Sequence, residues 1–307
     1  MKRWPSRVIP PIATRASASG GSISSRNPSF FNYLRSFMIQ TVLSLGAGVQ
    51  SSTLALMAAQ GEVEPMPDVA VFADTGYEPK AVYEWLSWLE QQLPFPVVKV
   101  TRGNLRDDQI KTRVRAKNRA AALPYFTLDP NTQDIGMLQR QCTAEYKIQP
   151  VTKYIREELL GLRPRQRSPK EHVIDLWYGI SYDEMQRMKV PFVEPWRRNV
   201  YPLIEKSMRR GQCLEWMEKN RYPKPPRSAC LCCPFHSEEE WLNIKNGPQD
   251  EWEDVVEFDR SIRKLGGVRG DLFLHRSCKP LDEVDFFTLE NAGQMSLLDE
   301  CHGYCGV

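Results

Sequence analysis

Thr41-Val-Leu-Ser-Leu45-Gly46-Ala47-Gly48-Val-Gln50-Ser51-Ser52 opens the readable part of the chain. A short apolar run, Thr41–Leu45, ends in a Gly-x-Gly turn, and a helical pattern from about Ser51 to Gln60 follows. Four to eight apolar residues bounded by glycine read as a buried strand. Glycines at the turn let backbone N–H groups come close to an anion, and the helix N-terminus adds its positive dipole end. There is no Gly-Lys-Ser/Thr and no GxGxxG, so neither the Walker loop nor the dinucleotide fingerprint applies. A tight strand-to-helix turn with no ligand would look much the same.

Outward from this stretch the pattern repeats. Asp68–Ala73 and Pro96–Val100 read as strands, Pro79–Gln92 as a helix with Val82, Leu86 and Leu89 on one face, about Glu145–Leu160 as a further helix, and His172–Tyr178 as a fourth strand ending at Gly179. Strands alternating with helices predict right-handed crossovers and an α/β fold with a doubly wound parallel sheet. Ligands of such sheets bind beyond the carboxyl ends of strands, which puts Asp74-Thr75-Gly76 beside the Gly46–Ser52 loop. We expect three regions: an N-terminal extension over 1–37, a nucleotide-binding α/β domain over 38–200 and a Cys-rich C-terminal region over 201–307.

Composition bounds the reading. The 307 residues are 41% hydrophobic and 26% charged, which suits a globular protein with a core rather than a disordered chain. Mean hydropathy is −0.47, and no run of about 18 apolar residues marks a membrane span. A cytoplasmic protein with no membrane partner is expected. The net charge of +3 is more than accounted for by Lys2, Arg3, Arg7, Arg15, Arg26 and Arg35, which no acid offsets before Glu62. That Ser-, Pro- and Arg-rich segment fits a transit peptide, a disordered tail or an upstream extension of a frame starting at Met38. Its poor helical amphipathicity favours the latter two. The most basic stretch of the body holds Arg102, Arg106, Lys111, Arg113, Arg115, Lys117 and Arg119. It reads either as a solvated helix face or as a loop for phosphate groups or nucleic acid.

Eight cysteines, at 142, 213, 230, 232, 233, 278, 301 and 305, are too clustered for a disulfide framework in a chain without a secretory signal. Cys230-Leu-Cys-Cys233 has the spacing of metal or redox chemistry, although buried structural thiols would serve as well.

Taken in order, these motifs resemble the PP-loop ATP pyrophosphatase superfamily, the adenine nucleotide alpha hydrolase-like proteins, whose loop reads S-G-G-x-D-S. Gly46 replaces the first Ser and Gln50 replaces the Asp. Within it the chain is most similar to the phosphoadenylyl-sulfate (PAPS) reductase-like family, and gives the overall impression of its phage and prophage members. The motifs are Asp74-Thr75-Gly76, Cys142-x4-Lys147-x2-Pro150, Gly179-Ile-x3-Glu184-x2-Arg187, Tyr201-Pro-Leu203 and Cys230-x-x-Cys233. They cover about residues 40–235.

The resemblance implies an enzyme binding ATP or PAPS/APS through Gly46, Ala47, Gly48, Gln50, Ser51, Ser52, Asp74, Thr75, Gly76 and Gly179, with Asp74 on Mg²⁺ or ribose. Lys147 and Arg187 would stabilise negative charge. A [4Fe–4S] cluster is implied on Cys142, Cys230 and Cys233, with Gln141 standing where another cysteine occurs, so that Cys278, Cys232 or the tail supplies a fourth ligand or one iron stays open. We prefer Cys278; structural zinc is the alternative. Cys301, in Glu300-Cys301-His302, would be a tail nucleophile. Three functions follow from it: sulfur insertion into a nucleic-acid or small-molecule acceptor, sulfonucleotide reduction with a thioredoxin-like reductant, or a silent nucleotide-binding module. A homo-oligomer is expected.

Overall fold

The structure, a computed structural model, describes residues 40–114, 123–188, 194–264 and 270–286. The extension 1–37, the basic positions Arg115, Lys117 and Arg119, and the tail Cys301, His302 and Cys305 lie outside the described residues. The chain runs β1 (Gln40–Leu45), α1 (Val49–Ala59), β2 (Val69–Asp74), α2 (Lys80–Glu90), β3 (Val97–Thr101) and α3 (Leu105–Val114). Short strands β4 (Phe126–Leu128) and β5 (Ile135–Met137) follow. One continuous helix then passes from a π turn, Thr143–Ile148, into α4 (Gln149–Tyr154) and out through a second π turn, Ile155–Leu159. Beyond it come β6 (Ile174–Tyr178), a 3₁₀ turn at Tyr182–Arg187, β7 (Arg197–Val200), α5 (Pro202–Glu205), α6 (Arg210–Lys219), α7 (Glu238–Lys245), α8 (Gln249–Ile262) and β8 (Asp271–Phe273).

Five strands form one sheet in the order β3-β2-β1-β6-β7, every pair parallel, which is the expected doubly wound α/β arrangement. Alternation along the strands sorts side chains to two buried faces. Leu43, Leu45, Ala70, Phe72 and Trp177 pack under α1, α2 and α6. Val42, Val71, Ala73, Ile174, Leu176 and Tyr178 pack on the other face, with Val151 and Ile155 of the helix around α4. All eleven residues of α1 are buried. A helix apolar or covered all round belongs inside, and this one is sandwiched between the sheet and α6.

The strand β7 has no counterpart in the sequence reading. Its Arg197-Arg-Asn-Val carries no apolar alternation, because an edge strand is held by backbone pairing to β6 while Arg198 grips Asp175 through two hydrogen bonds of 2.7 and 2.9 Å. A second, antiparallel sheet, β5-β4-β8, joins residues far apart in the chain. It belongs to a third core cluster, in which Tyr77, Leu105, Tyr125 and Tyr146 pack with Cys230, Cys232, Trp241 and Phe258. The Cys-rich region therefore shares a core with the turns leaving β2 and β3. Among the described residues no helix is long and apolar enough to cross a membrane.

Candidate functional site

Strand order reverses between β1 and β6, and the loop 46–48 leaves the sheet at that switch point. Ala47 is fully buried with φ +56°, a left-handed conformation that costs a non-glycine residue energy and that concentrates at functional turns. The loop closes on itself: Gly46 N–H donates to Ser51 Oγ at 3.2 Å. From outside, the Ser228 hydroxyl donates to the Gly46 carbonyl. Gly179, at the end of β6, abuts the first turn of α1 so closely that a Cβ there would stand 2.5 Å from Ser51 Cα. Only glycine allows this approach.

No side chain caps the first turn of α1, and no acid lies in it. The leading N–H groups of a helix need a partner, and an uncapped start in a buried setting suits an anion. The two serines differ in role. Ser51 faces the loop, whereas Ser52 is fully buried and its Oγ accepts from the Trp85 indole N–H at 2.9 Å. The Gln50 amide donates to Ser181 Oγ at 3.4 Å and accepts from Arg210 Nη1 at 3.0 Å.

At the end of β2, Asp74 Oδ1 accepts from Gly76 N–H (2.7 Å) and from Tyr83 O–H (2.9 Å). Burial, followed by the bond to Asp74, pushes the Tyr83 phenol well above its ordinary range, so it stays a donor. Behind Asp74 lies a polar group assembled from three segments. Thr75 Oγ1 donates to Glu78 Oε1 at 3.0 Å and lies 3.3 Å from Cys230 Sγ, and the Cys230 thiol donates to the same Glu78 oxygen at 3.4 Å. Lys147 Nζ, on the first π turn, stands 3.7 Å from that oxygen. The Glu78 side chain is 1% exposed, and its second oxygen has no hydrogen-bond partner among the described residues. Burial first, then the Glu78 carboxylate, raise the Cys230 pKa far above that of an ordinary thiol, against the pull of Lys147. Cys230 is thus held as a neutral donor.

A cavity opens beside the loop between the strand ends and the helix around α4. Leu45, Phe72, Ala73, Leu176, Tyr178 and Val151 make it largely apolar, with Lys147 and Arg197 at its borders. Arg187, the other expected cation, is ion-paired with the buried Glu184 on the 3₁₀ turn.

Of the expected cluster ligands, Cys142 and Cys230 belong to one core cluster together with Cys232, and Cys278 is not part of it. Burial first, then the neighbouring Cys142, raises the Cys232 pKa far above that of an ordinary thiol. Cys278 lies apart on the turn after β8, where burial raises its pKa and Arg263 alone opposes it. Among the described residues no three His, Cys, Asp or Glu side chains gather as a cage for a metal ion. The residues described therefore form no cage for an iron–sulfur cluster or a zinc ion. Of the basic stretch, Arg102 pairs with Glu145 and lies over the Tyr146 ring, Arg106 pairs with Asp254 and Glu257, and Lys111 lies 3.7 Å from Asp107. Those three charges are matched within the protein.

Glu78, Tyr83, Ser228 and Arg210 complete the site without having been expected from the sequence. The first two lie four and nine residues beyond Asp74 in an ordinary-looking helix start, and the last two come from distant segments.

The fold and site thus define an α/β protein with an uncapped glycine loop at the switch point of a parallel sheet. No protein-family profile and no curated protein matches the chain. A solved structure, phosphoadenylyl-sulfate (PAPS) reductase from Candida auris in a phosphate complex, is similar at TM-score 0.36 and 14% identity. The likeness covers 67% of this chain and 92% of that one, and it carries nothing about activity.

Proposed function

We propose that the protein is an adenine-nucleotide-binding enzyme of sulfur chemistry. The carrying observation is the position of Cys230: a thiol 3.3 Å from Thr75, at the strand end that flanks the uncapped loop. Phosphate or sulfate oxygens would be received by the loop amides and the Ser51 hydroxyl, which are positioned by Gly179 and Ser228. A small, largely apolar cavity lies beside them, and Lys147 in its lining would face the ligand's negative charge.

Sulfonucleotide processing is the reading favoured for the reaction. Gln50 removes a carboxylate from the loop, and the internally paired Arg102, Arg106 and Lys111 lend no support to a nucleic-acid acceptor. Cys301 would be the attacking thiol, with a thioredoxin-like protein to regenerate it. Sulfur insertion driven by ATP is the second reading, favoured by the thiol at the strand end. Anaerobic assays of the whole chain decide between them: sulfite released from PAPS or APS supports the first, and pyrophosphate released from ATP supports the second. Tight nucleotide binding with neither product would leave a binding module, and no binding of any of the three would refute the proposal.

A further inference from the structure

We infer that Arg210, oriented by Gln50, is the cation of this loop, and that the site takes its anionic ligand without a divalent metal ion. The inference rests on the reading of the loop as an anion site and goes beyond it by assigning the charge that balances the ligand.

Charge partners carry the argument. Lys147 is held by Glu78, Arg187 by Glu184 and Arg197 by Glu194. Arg210 is different. Asp183, the acid beside it, accepts from the Arg210 backbone N–H at 3.1 and 3.3 Å, which caps the start of α6 instead of neutralising the guanidinium. Among the described residues no carboxylate forms an ion pair with that guanidinium, and its side-chain bond goes to the neutral Gln50 amide at 3.0 Å. A guanidinium has five N–H donors in a rigid fork, so one bond to Gln50 fixes its direction and leaves donors for a ligand.

Gln50 is itself fixed, being 8% exposed and bonded on its other side to the fully buried Ser181. It stands in the first turn of α1, and its 3.0 Å bond brings the guanidinium to that end of the helix. A carboxylate at position 50 would bind the guanidinium outright and oppose an incoming phosphate; a metal ion would then be needed to reverse the sign. With glutamine there, that need disappears. Arg210 is a ligand-binding residue in this account, and Gln50 is a positioning residue.

The test is calorimetric titration of the whole chain with inorganic pyrophosphate and with ADP, each in EDTA and in Mg²⁺, with thermal unfolding as a check on folding. Wild-type affinity should not be strengthened by Mg²⁺. Arg210→Ala should weaken both ligands about tenfold or more, and Arg210→Lys should keep part of the affinity. Gln50→Glu, nearly the same in shape, should weaken both by a similar factor in EDTA and recover part of that affinity in Mg²⁺. Wild-type binding that requires Mg²⁺, Arg210→Ala binding as wild type, or Gln50→Glu binding as wild type in EDTA would each overturn the inference. Pyrophosphate bound without ADP would sink the nucleotide reading while leaving Arg210 its role. ADP bound regardless of Arg210 would do the reverse, and binding of neither would end both.

Discussion

Cys230 Sγ and Thr75 Oγ1 lie 3.3 Å apart across 155 residues of chain, and both reach the same oxygen of Glu78. This contact joins the Cys-rich region to the end of β2. With the Ser228 hydroxyl on the Gly46 carbonyl, it makes the segment before Cys230 one wall of the Gly46–Gly48 loop. Cys230 is part of that loop's surroundings before any chemistry is assigned to it.

The two adjacent serines should separate cleanly. Ser51→Ala removes the acceptor of Gly46 N–H and should weaken pyrophosphate and ADP several-fold with little change in unfolding midpoint. Ser52→Ala removes the acceptor at 2.9 Å from the buried Trp85 indole and should cost about 1 kcal/mol of stability. Urea unfolding beside ligand titration reads both, and equal behaviour of the two variants would contradict the assignment.

Gly179→Ala should damage both stability and binding. Its Cβ would lie 2.5 Å from Ser51 Cα, so the backbone of the loop or of β6 has to move. Overpacking of this kind costs about 1–3 kcal/mol, and the displaced loop should lose affinity as well. A variant with wild-type unfolding midpoint and ligand affinity would show that the two elements are not in contact.

Lys147 should matter to the fold as well as to a ligand. Removing it leaves the Glu78 carboxylate, 1% exposed, without the ammonium 3.7 Å away. Lys147→Met is expected to cost up to about 3 kcal/mol, and adding Glu78→Gln should recover most of that loss. Chemical denaturation of the two single variants and the double variant completes the cycle; additive effects would exclude the pairing.

Stability should fall as the medium becomes mildly acidic, and His275 is one source. Burial lowers its pKa from the ordinary 6.5, and the neighbouring Glu238 only partly offsets this. Because the folded value lies below the unfolded one, the unfolded chain takes up the proton first. The His275 contribution is therefore complete above about pH 6.5 and declines as pH drops below it. Its Nε2 lies 3.1 Å from Glu238 Oε1 and its Nδ1 lies 2.8 Å from Ser277 Oγ, so His275→Gln can keep part of this network while removing the titration. The slope of unfolding free energy against pH between 7 and 5 should be shallower in that variant.

Much of the fold was legible from Thr41 to Gly179. Apolar runs of strand length and amphipathic stretches between them express two local periods, and those periods are written residue by residue. The loop was legible for the same reason, since glycine followed by a helical pattern is a local signal. The edge strand β7 was not, because Arg197 and Arg198 carry no strand pattern of their own and gain one only by pairing with β6. The partners of the basic stretch were equally hidden: Asp254 and Glu257, which match Arg106, come from α8.

The sequence by itself determined the alternation of strands and helices, and with it the parallel sheet, the loop at its switch point and Asp74 at the next strand end. These follow from local steric preference and hydrophobic period, which need no knowledge of distant residues. Tertiary structure alone decided which charges remain unbalanced and which thiol stands in the site. Lys147 meets Glu78, Arg187 meets Glu184, among the described residues the Arg210 guanidinium meets an amide in place of an acid, and Cys230 meets Thr75 while Cys278 lies elsewhere. Charge and hydrogen-bond partnership act over a few ångströms of space, and separation along the chain carries no record of that distance.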